Sequence, residues 1–156
     1  MILIIAYGNS LRRDDGAGLL AAVELEAILC DRDREVERIA VHQLAPELSE
    51  TIARPEIEAV VFVDARAAAN GEGAVEPPGL EILPLSPEDF SPSMGHHLDP
   101  AVLLTLAGRL FGRTPPAWLL TVPGVDFGHG ESLSPVAQRA LSDLRALIAG
   151  LPPDWP

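Results

Sequence analysis

Three short segments carry residue types that could bind a metal ion or move a proton. Asp14 and Asp15 follow the first apolar segment, Asp64 comes directly after Val-Val-Phe-Val, and His96-His97 lie in a stretch rich in proline and serine. Two carboxylates and one imidazole suit a borderline divalent cation such as nickel, zinc or iron, with coordination positions left for water or substrate. Brought together by the fold, these segments would form an open metal site.

Each of these residues also has an ordinary structural interpretation. Asp15 precedes a predicted helix and would cap it by accepting a hydrogen bond from the amide of Ala17 or Gly18. Asp14 would then face solvent, and adjacent histidines in a loop lie by default at the surface. Asp64 is harder to dismiss, because a carboxylate that follows a buried strand is costly to bury without a partner. For Asp64 the structural and functional interpretations are balanced.

Other catalytic and cofactor motifs are missing from the sequence. It has no Gly-x-Ser-x-Gly nucleophile elbow, no Gly-x-Gly-x-x-Gly dinucleotide motif, and no lysine for a Walker-type phosphate loop. Cys30, the single cysteine, ends an apolar helical segment and is predicted to be a buried structural residue rather than a nucleophile. His42, Glu47 and His129 are each predicted to be structural or exposed.

The segments that would position the candidate residues alternate between strand and helix patterns. Apolar runs predict strands at residues 1–7, 36–42, 58–63, 80–85 and 118–122. Helices are predicted at 16–30, from 45 onward, at 100–111 and from 135 to Gly150. Asp99 would cap the helix at 100–111 and Gly112 would close it, while Ser134 precedes the last helix. This alternation favours a three-layer α/β fold with a mostly parallel sheet. Ligand sites in such sheets form beyond the carboxyl ends of the strands, where the aspartates and the histidine pair would converge.

Length and composition limit the class of protein. The 156 residues fit one α/β domain at 1–150 followed by a short tail at 151–156. With 23 acidic residues against 11 basic ones, all of them arginine, the net charge of −12 argues against nucleic acid as a partner. One cysteine excludes an internal disulfide, and no apolar run reaches the roughly 18 residues of a membrane span. We therefore expect a soluble, cytoplasmic protein.

Five motifs follow one another along the chain. The first is Gly-Asn-Ser-Leu-Arg-Arg-Asp-Asp-Gly-Ala-Gly at residues 8–18, after an apolar strand. The other four are Gln-Leu-Ala-Pro-Glu-Leu at 43–48, Val-Val-Phe-Val-Asp-Ala at 60–65, Gly-His-His-Leu at 95–98, and Gly-Val-Asp-Phe at 124–127 with Gly-Glu-Ser-Leu-Ser-Pro at 130–135. Taken in order, they resemble the motifs of the hydrogenase maturation proteases, endopeptidases that trim the C-terminal extension from the large subunit of nickel–iron hydrogenase. The resemblance covers nearly the whole chain.

The resemblance implies a fold, a substrate and a set of site residues. The implied fold is a three-layer α/β/α sandwich around a mostly parallel, five-stranded sheet. The positions that contact metal and carry catalysis fall on Asp15, Asp64 and His96, with the adjacent His97 as the alternative imidazole. The implied substrate is a large-subunit precursor that already carries nickel, so the metal belongs to the substrate and the free enzyme is metal-free.

Two other function classes stay open from the sequence. One is a non-catalytic α/β module that binds a divalent metal or a nucleotide and serves as an assembly factor. The other is a metal hydrolase that acts on a small substrate. Cleavage of a nickel-loaded precursor distinguishes the endopeptidase from both.

Overall fold

A computed structural model describes residues 1–68, 79–89, 98–151 and 155–156. Short 3-10 turns lie at Arg13–Gly16 and Pro87–Asp89. In the described parts of the chain, no helix has both the length and the apolar character that crossing a bilayer requires. The strands and helices in chain order are β1 (Ile2–Tyr7), α1 (Ala17–Cys30), β2 (Val36–Val41), α2 (Leu48–Ile52), β3 (Ala59–Ala67), β4 (Glu81–Leu85), α3 (Pro100–Phe111), β5 (Ala117–Gly124) and α4 (Pro135–Ala149).

The five strands form one sheet in the order β2-β1-β3-β5-β4. The first four in that order run parallel, and β4 pairs antiparallel with β5 at the edge. Pro84 lies in β4, and the edge position accommodates it, because proline has no backbone N–H to donate to a second neighbouring strand. The predicted mostly parallel, five-stranded sheet is confirmed.

Apolar side chains cover both faces of the sheet, because alternate residues of a strand point to opposite sides. In β1, Ile2, Ile4 and Ala6 pack with α1 and α4, while Leu3 and Ile5 pack with α2 and α3. Both sets are fully buried. This produces the predicted three-layer α/β/α arrangement.

Helix boundaries follow the capping residues read from the sequence. Asp99 accepts a hydrogen bond from the Ala101 amide at 2.8 Å where α3 begins, and Gly112 closes that helix in the left-handed conformation at φ 74°. Ser134 caps α4 by accepting from the Ala137 amide.

Two features of the fold differ from the sequence-based expectation. Strand β3 does not end at Asp64 but continues to Ala67, because residues 64–67 pair with residues 121–124 of β5. The prediction of a buried Cys30 is wrong, since this residue is exposed at the end of α1. The helix turns Ile28 and Leu29 into the core instead, which leaves Cys30 toward solvent.

Candidate active site

A cleft of about 310 Å³ opens at the carboxyl ends of β1 and β3. The connection from β1 runs through α1 to β2 on one side, whereas β3 lies on the other side of β1. Such a reversal is the position at which open α/β sheets bind ligands. The residues that line the cleft are Tyr7, Gly8, Asn9, Arg12, Asp15, His42, Gln43, Leu44, Asp64, Ala65 and Leu98.

Asp15 reaches this cleft from the loop between β1 and α1. Its Oδ2 accepts a hydrogen bond from the Asn9 amide at 2.9 Å. The capping interpretation of Asp15 is wrong, because α1 has Gly16 at its N-cap and no side chain that caps it. The 3-10 turn at Arg13–Gly16 directs the Asp15 side chain back toward the start of the loop.

Close backbone contacts hold Asp15 near Asp64. A Cβ atom on Gly18 would lie 2.9 Å from the Asp64 carbonyl carbon, so the first turn of α1 packs against the backbone of β3. Gly8 has φ 145°, and a Cβ there would lie 2.2 Å from the Asp15 carbonyl oxygen. Only glycine therefore fits at these two positions.

Asp64 is largely buried beside Tyr7. Ala6 pairs with Val63 in the sheet, so Tyr7 and Asp64 come next to each other one residue further along. The Asp64 Oδ1 accepts a hydrogen bond from the Ala65 amide at 2.7 Å.

The surroundings of Asp64 disfavour its charge. Burial raises the pKa of Asp64 to about 6. Hydrogen bonds from the Ala65 amide and the Tyr7 side chain oppose this increase, while the nearby Asp15 charge adds to it. Burial and the Asp64 charge also raise the pKa of Tyr7, so the phenol keeps its proton.

Asp14 has a structural role that the sequence did not indicate. The prediction that it faces solvent is wrong, since its exposure is 0%. Its Oδ2 accepts hydrogen bonds from the amides of Val125 at 2.8 Å and Asp126 at 3.0 Å, and its Oδ1 accepts one from Ser134 at 2.7 Å. Burial disfavours the charge, but these donors outweigh it and lower the pKa of Asp14 below its usual value.

The histidine block lies outside the described residues. His96 and His97 both fall in the segment 90–97, and the described chain resumes at Leu98, which lines the cleft. Within the described ranges, no three His, Cys, Asp or Glu side chains lie close enough to hold one metal ion. Asp15 and Asp64 share the cleft as predicted from the sequence.

Two cleft residues were missed by sequence reasoning as parts of the site. His42 is exposed, as predicted, but it follows β2 at the same edge of the sheet and so lines the cleft. Arg12 also lines it, with Nε and Nη2 donating to the Phe127 carbonyl at 3.3 and 3.2 Å. The available signal for His42 was its position directly after a strand. Glu47 and His129 are exposed, as expected.

Comparison with solved structures finds the same fold in hydrogenase maturation enzymes. Hydrogenase maturating endopeptidase HybD from Escherichia coli is 22% identical, with a TM-score of 0.68 over 94% of this chain and 88% of that chain. The NiFe hydrogenase maturation protease HycI from Thermococcus kodakarensis is 22% identical, with a TM-score of 0.64 over 95% and 89%. An endopeptidase from Escherichia coli solved in solution is 23% identical, with a TM-score of 0.66 over 94% and 88%.

These likenesses concern the fold. No protein-family model matches the sequence, and a search of curated proteins finds no match. The resemblance to the hydrogenase maturation proteases is therefore confirmed at the level of the fold, over nearly the whole chain.

The two adjacent aspartates should differ sharply in their effect on stability. Asp14→Asn replaces one acceptor oxygen with an amide group that faces backbone N–H donors, and it should lower the free energy of unfolding by about 2–5 kcal/mol. Asp15→Asn keeps an acceptor for the Asn9 amide and should cost less than about 1 kcal/mol. Urea denaturation of both variants at pH 7 measures the difference, and equal losses would contradict the roles assigned here.

Asp64 should make the protein less stable as the pH rises from about 4 to 6. Folding raises the pKa of Asp64 to about 6. The folded protein therefore binds the Asp64 proton more tightly than the unfolded chain does. The free energy of unfolding therefore falls by up to about 3 kcal/mol as the pH rises through this range and Asp64 ionises. Asp64→Asn should show no such fall, so its free energy of unfolding should exceed that of the wild type most clearly above pH 6. The measurement is urea denaturation from pH 4 to 8, with Asp143→Asn, a change at an exposed aspartate of α4, as control. A wild-type advantage at pH 7 would show instead that the Asp64 charge stabilises the fold.

Proposed function

We propose that this protein is a hydrogenase maturation endopeptidase that removes the C-terminal extension of a nickel-loaded large-subunit precursor. Asp15, Asp64 and His96 bind the nickel ion that the precursor carries, and His97 is the alternative to His96. The metal is part of the substrate, and the site assembles when enzyme and precursor meet. The fold shared with HybD and HycI supports this proposal.

The observation that carries the proposal is a pair of carboxylates that share one cleft, neither of them neutralised by an ion pair among the described residues. Asp15 and Asp64 both line the cleft, and neither forms an ion pair within the described ranges. Burial disfavours ionisation of Asp64, and the nearby Asp15 charge disfavours it further. A perturbed acidic group beside a second carboxylate in a cleft indicates a functional site, and a divalent cation would relieve the repulsion between the two.

The donor set suits a borderline cation. One oxygen of each carboxylate accepts a hydrogen bond from a backbone amide. The Asn9 amide donates to Asp15, and the Ala65 amide donates to Asp64. These hydrogen bonds orient the carboxylates, as outer contacts of metal ligands commonly do. Leu98 lines the cleft and is two residues after His96 in the sequence, which supports an imidazole as third ligand. A metal bound there would polarise a nearby peptide carbonyl or activate a water molecule.

Cleavage of a nickel-loaded large-subunit precursor tests the proposal. The wild-type protein should shorten the precursor at its C-terminus, as measured by intact-protein mass spectrometry. Asp64→Asn removes one ligand charge while keeping the side-chain shape, and it should slow cleavage by at least about 100-fold. Asp143→Asn, an exposed aspartate on α4, is the matched control and should cleave normally.

Other outcomes separate the alternatives. Binding of the precursor without any cleavage would favour a non-catalytic assembly module. Equal cleavage of nickel-free and nickel-loaded precursor would reject recognition of the metal. Normal processing by Asp64→Asn would remove Asp64 from the site.

Nickel or cadmium alone should bind the free protein weakly, through the same three residues. Titration calorimetry at pH 7.5 should show at least about a 10-fold loss of affinity for His96→Ala and little change for His97→Ala. Binding should weaken below about pH 6, where the imidazole becomes protonated. The opposite order of the two variants would assign the ligand to His97.

A further inference from the structure

We propose that His42 carries the proton during peptide hydrolysis at this cleft. This inference rests on the proposed endopeptidase function and concerns a residue outside the three metal ligands. Neutral His42 takes a proton from the attacking water as the water oxygen bonds to the scissile carbonyl carbon. The imidazolium then gives that proton to the amide nitrogen as the C–N bond breaks. The products are the new C-terminal carboxyl group and a free amine, and His42 returns to its neutral form.

The position of His42 is fixed by the sheet. Val41, the last residue of β2, pairs with Tyr7, and its carbonyl accepts a hydrogen bond from the Gly8 amide at 3.3 Å. His42 therefore lies at the carboxyl edge of the sheet, beside the loop that carries Asp15. Its side chain is exposed and lines the cleft, so a substrate that enters the cleft meets the imidazole.

The chemistry of the other cleft residues leaves this task to His42. Four ionisable groups face it from neighbouring elements: Tyr7 on β1, Arg12 and Asp15 in the following loop, and Asp64 on β3. The phenol of Tyr7 is partly buried, and its raised pKa keeps it protonated; the Arg12 guanidinium does not deprotonate. The two carboxylates are assigned to nickel. Among the described lining residues this leaves His42, whose imidazole can both accept and donate a proton.

His42 lines the cleft without belonging to a metal-binding group. His42, Asp15 and Asp64 all line the cleft of about 310 Å³, but among the described residues no three such side chains form a group that could hold one metal ion. This placement fits a general base or acid, because such a group must reach the attacking water or the leaving nitrogen rather than the metal.

The test measures cleavage of nickel-loaded precursor bound by excess enzyme, so that metal binding does not limit the rate. His42→Ala should cleave at least about 100-fold more slowly than the wild type. Added imidazole should restore part of that rate in proportion to the neutral imidazole concentration. His129→Ala changes an exposed histidine outside the cleft and should match the wild type with or without imidazole.

A second variant guards against a trivial loss of structure. His42→Gln keeps a polar side chain of similar size, and its melting temperature should equal that of the wild type. Its rate should be as low as that of His42→Ala.

Three results would overturn the inference. In the first, His42→Ala retains the wild-type rate. In the second, the variant is slow and gains nothing from added imidazole, which assigns His42 a positioning role. In both, cleavage by the wild type and its loss in Asp64→Asn leave the proposed function intact. In the third, the wild type does not cleave the precursor, and the proposed function fails together with this inference.

Discussion

The buried Asp14 carboxylate is the interaction on which the arrangement of the site depends. It accepts hydrogen bonds from three amides that lie 111 to 120 residues away, and so joins the β1–α1 loop to the β5–α4 loop. The Asp14 amide strengthens the connection by donating to the Asp126 carbonyl at 3.0 Å. Beside it, Arg13 forms an ion pair with Asp126, and its amide donates to Gly130. These contacts hold the loop in place, with the Asp15 side chain lining the cleft.

Asp14 and Asp64 have opposite electrostatic surroundings. Asp14 is stabilised as an anion by amide donors, and its pKa is lowered. Asp64, which shares the cleft with Asp15, is destabilised as an anion, and its pKa is raised to about 6. A carboxylate that costs stability near neutral pH is expected at a site built for a ligand rather than for folding. The contrast shows how the surroundings of two aspartates shift the pKa in opposite directions, through amide donors at Asp14 and through burial at Asp64.

The elements of the fold were largely predictable, whereas the contacts of the site were not. Continuous apolar runs and capping residues such as Asp99 and Ser134 predicted strands and helices, because these signals are local. The burial of Asp14 depends on amides more than 100 residues away, and nothing near it in the sequence marks it as different from Asp15. His42 reached the cleft through strand order, which local patterns do not specify. The resemblance to a family correctly indicated the fold. Asp15 and Asp64, two of the residues to which it pointed, line one cleft.

The central claim is that Asp15 and Asp64 form one half of a site for a metal presented by another protein. The most direct measurement is anomalous diffraction from crystals soaked in nickel or cadmium. The account predicts an anomalous peak in the cleft within coordination distance, about 2.0–2.6 Å, of a carboxylate oxygen from each aspartate. A metal bound elsewhere on the protein, with the cleft carboxylates uncoordinated at saturating metal, would contradict it.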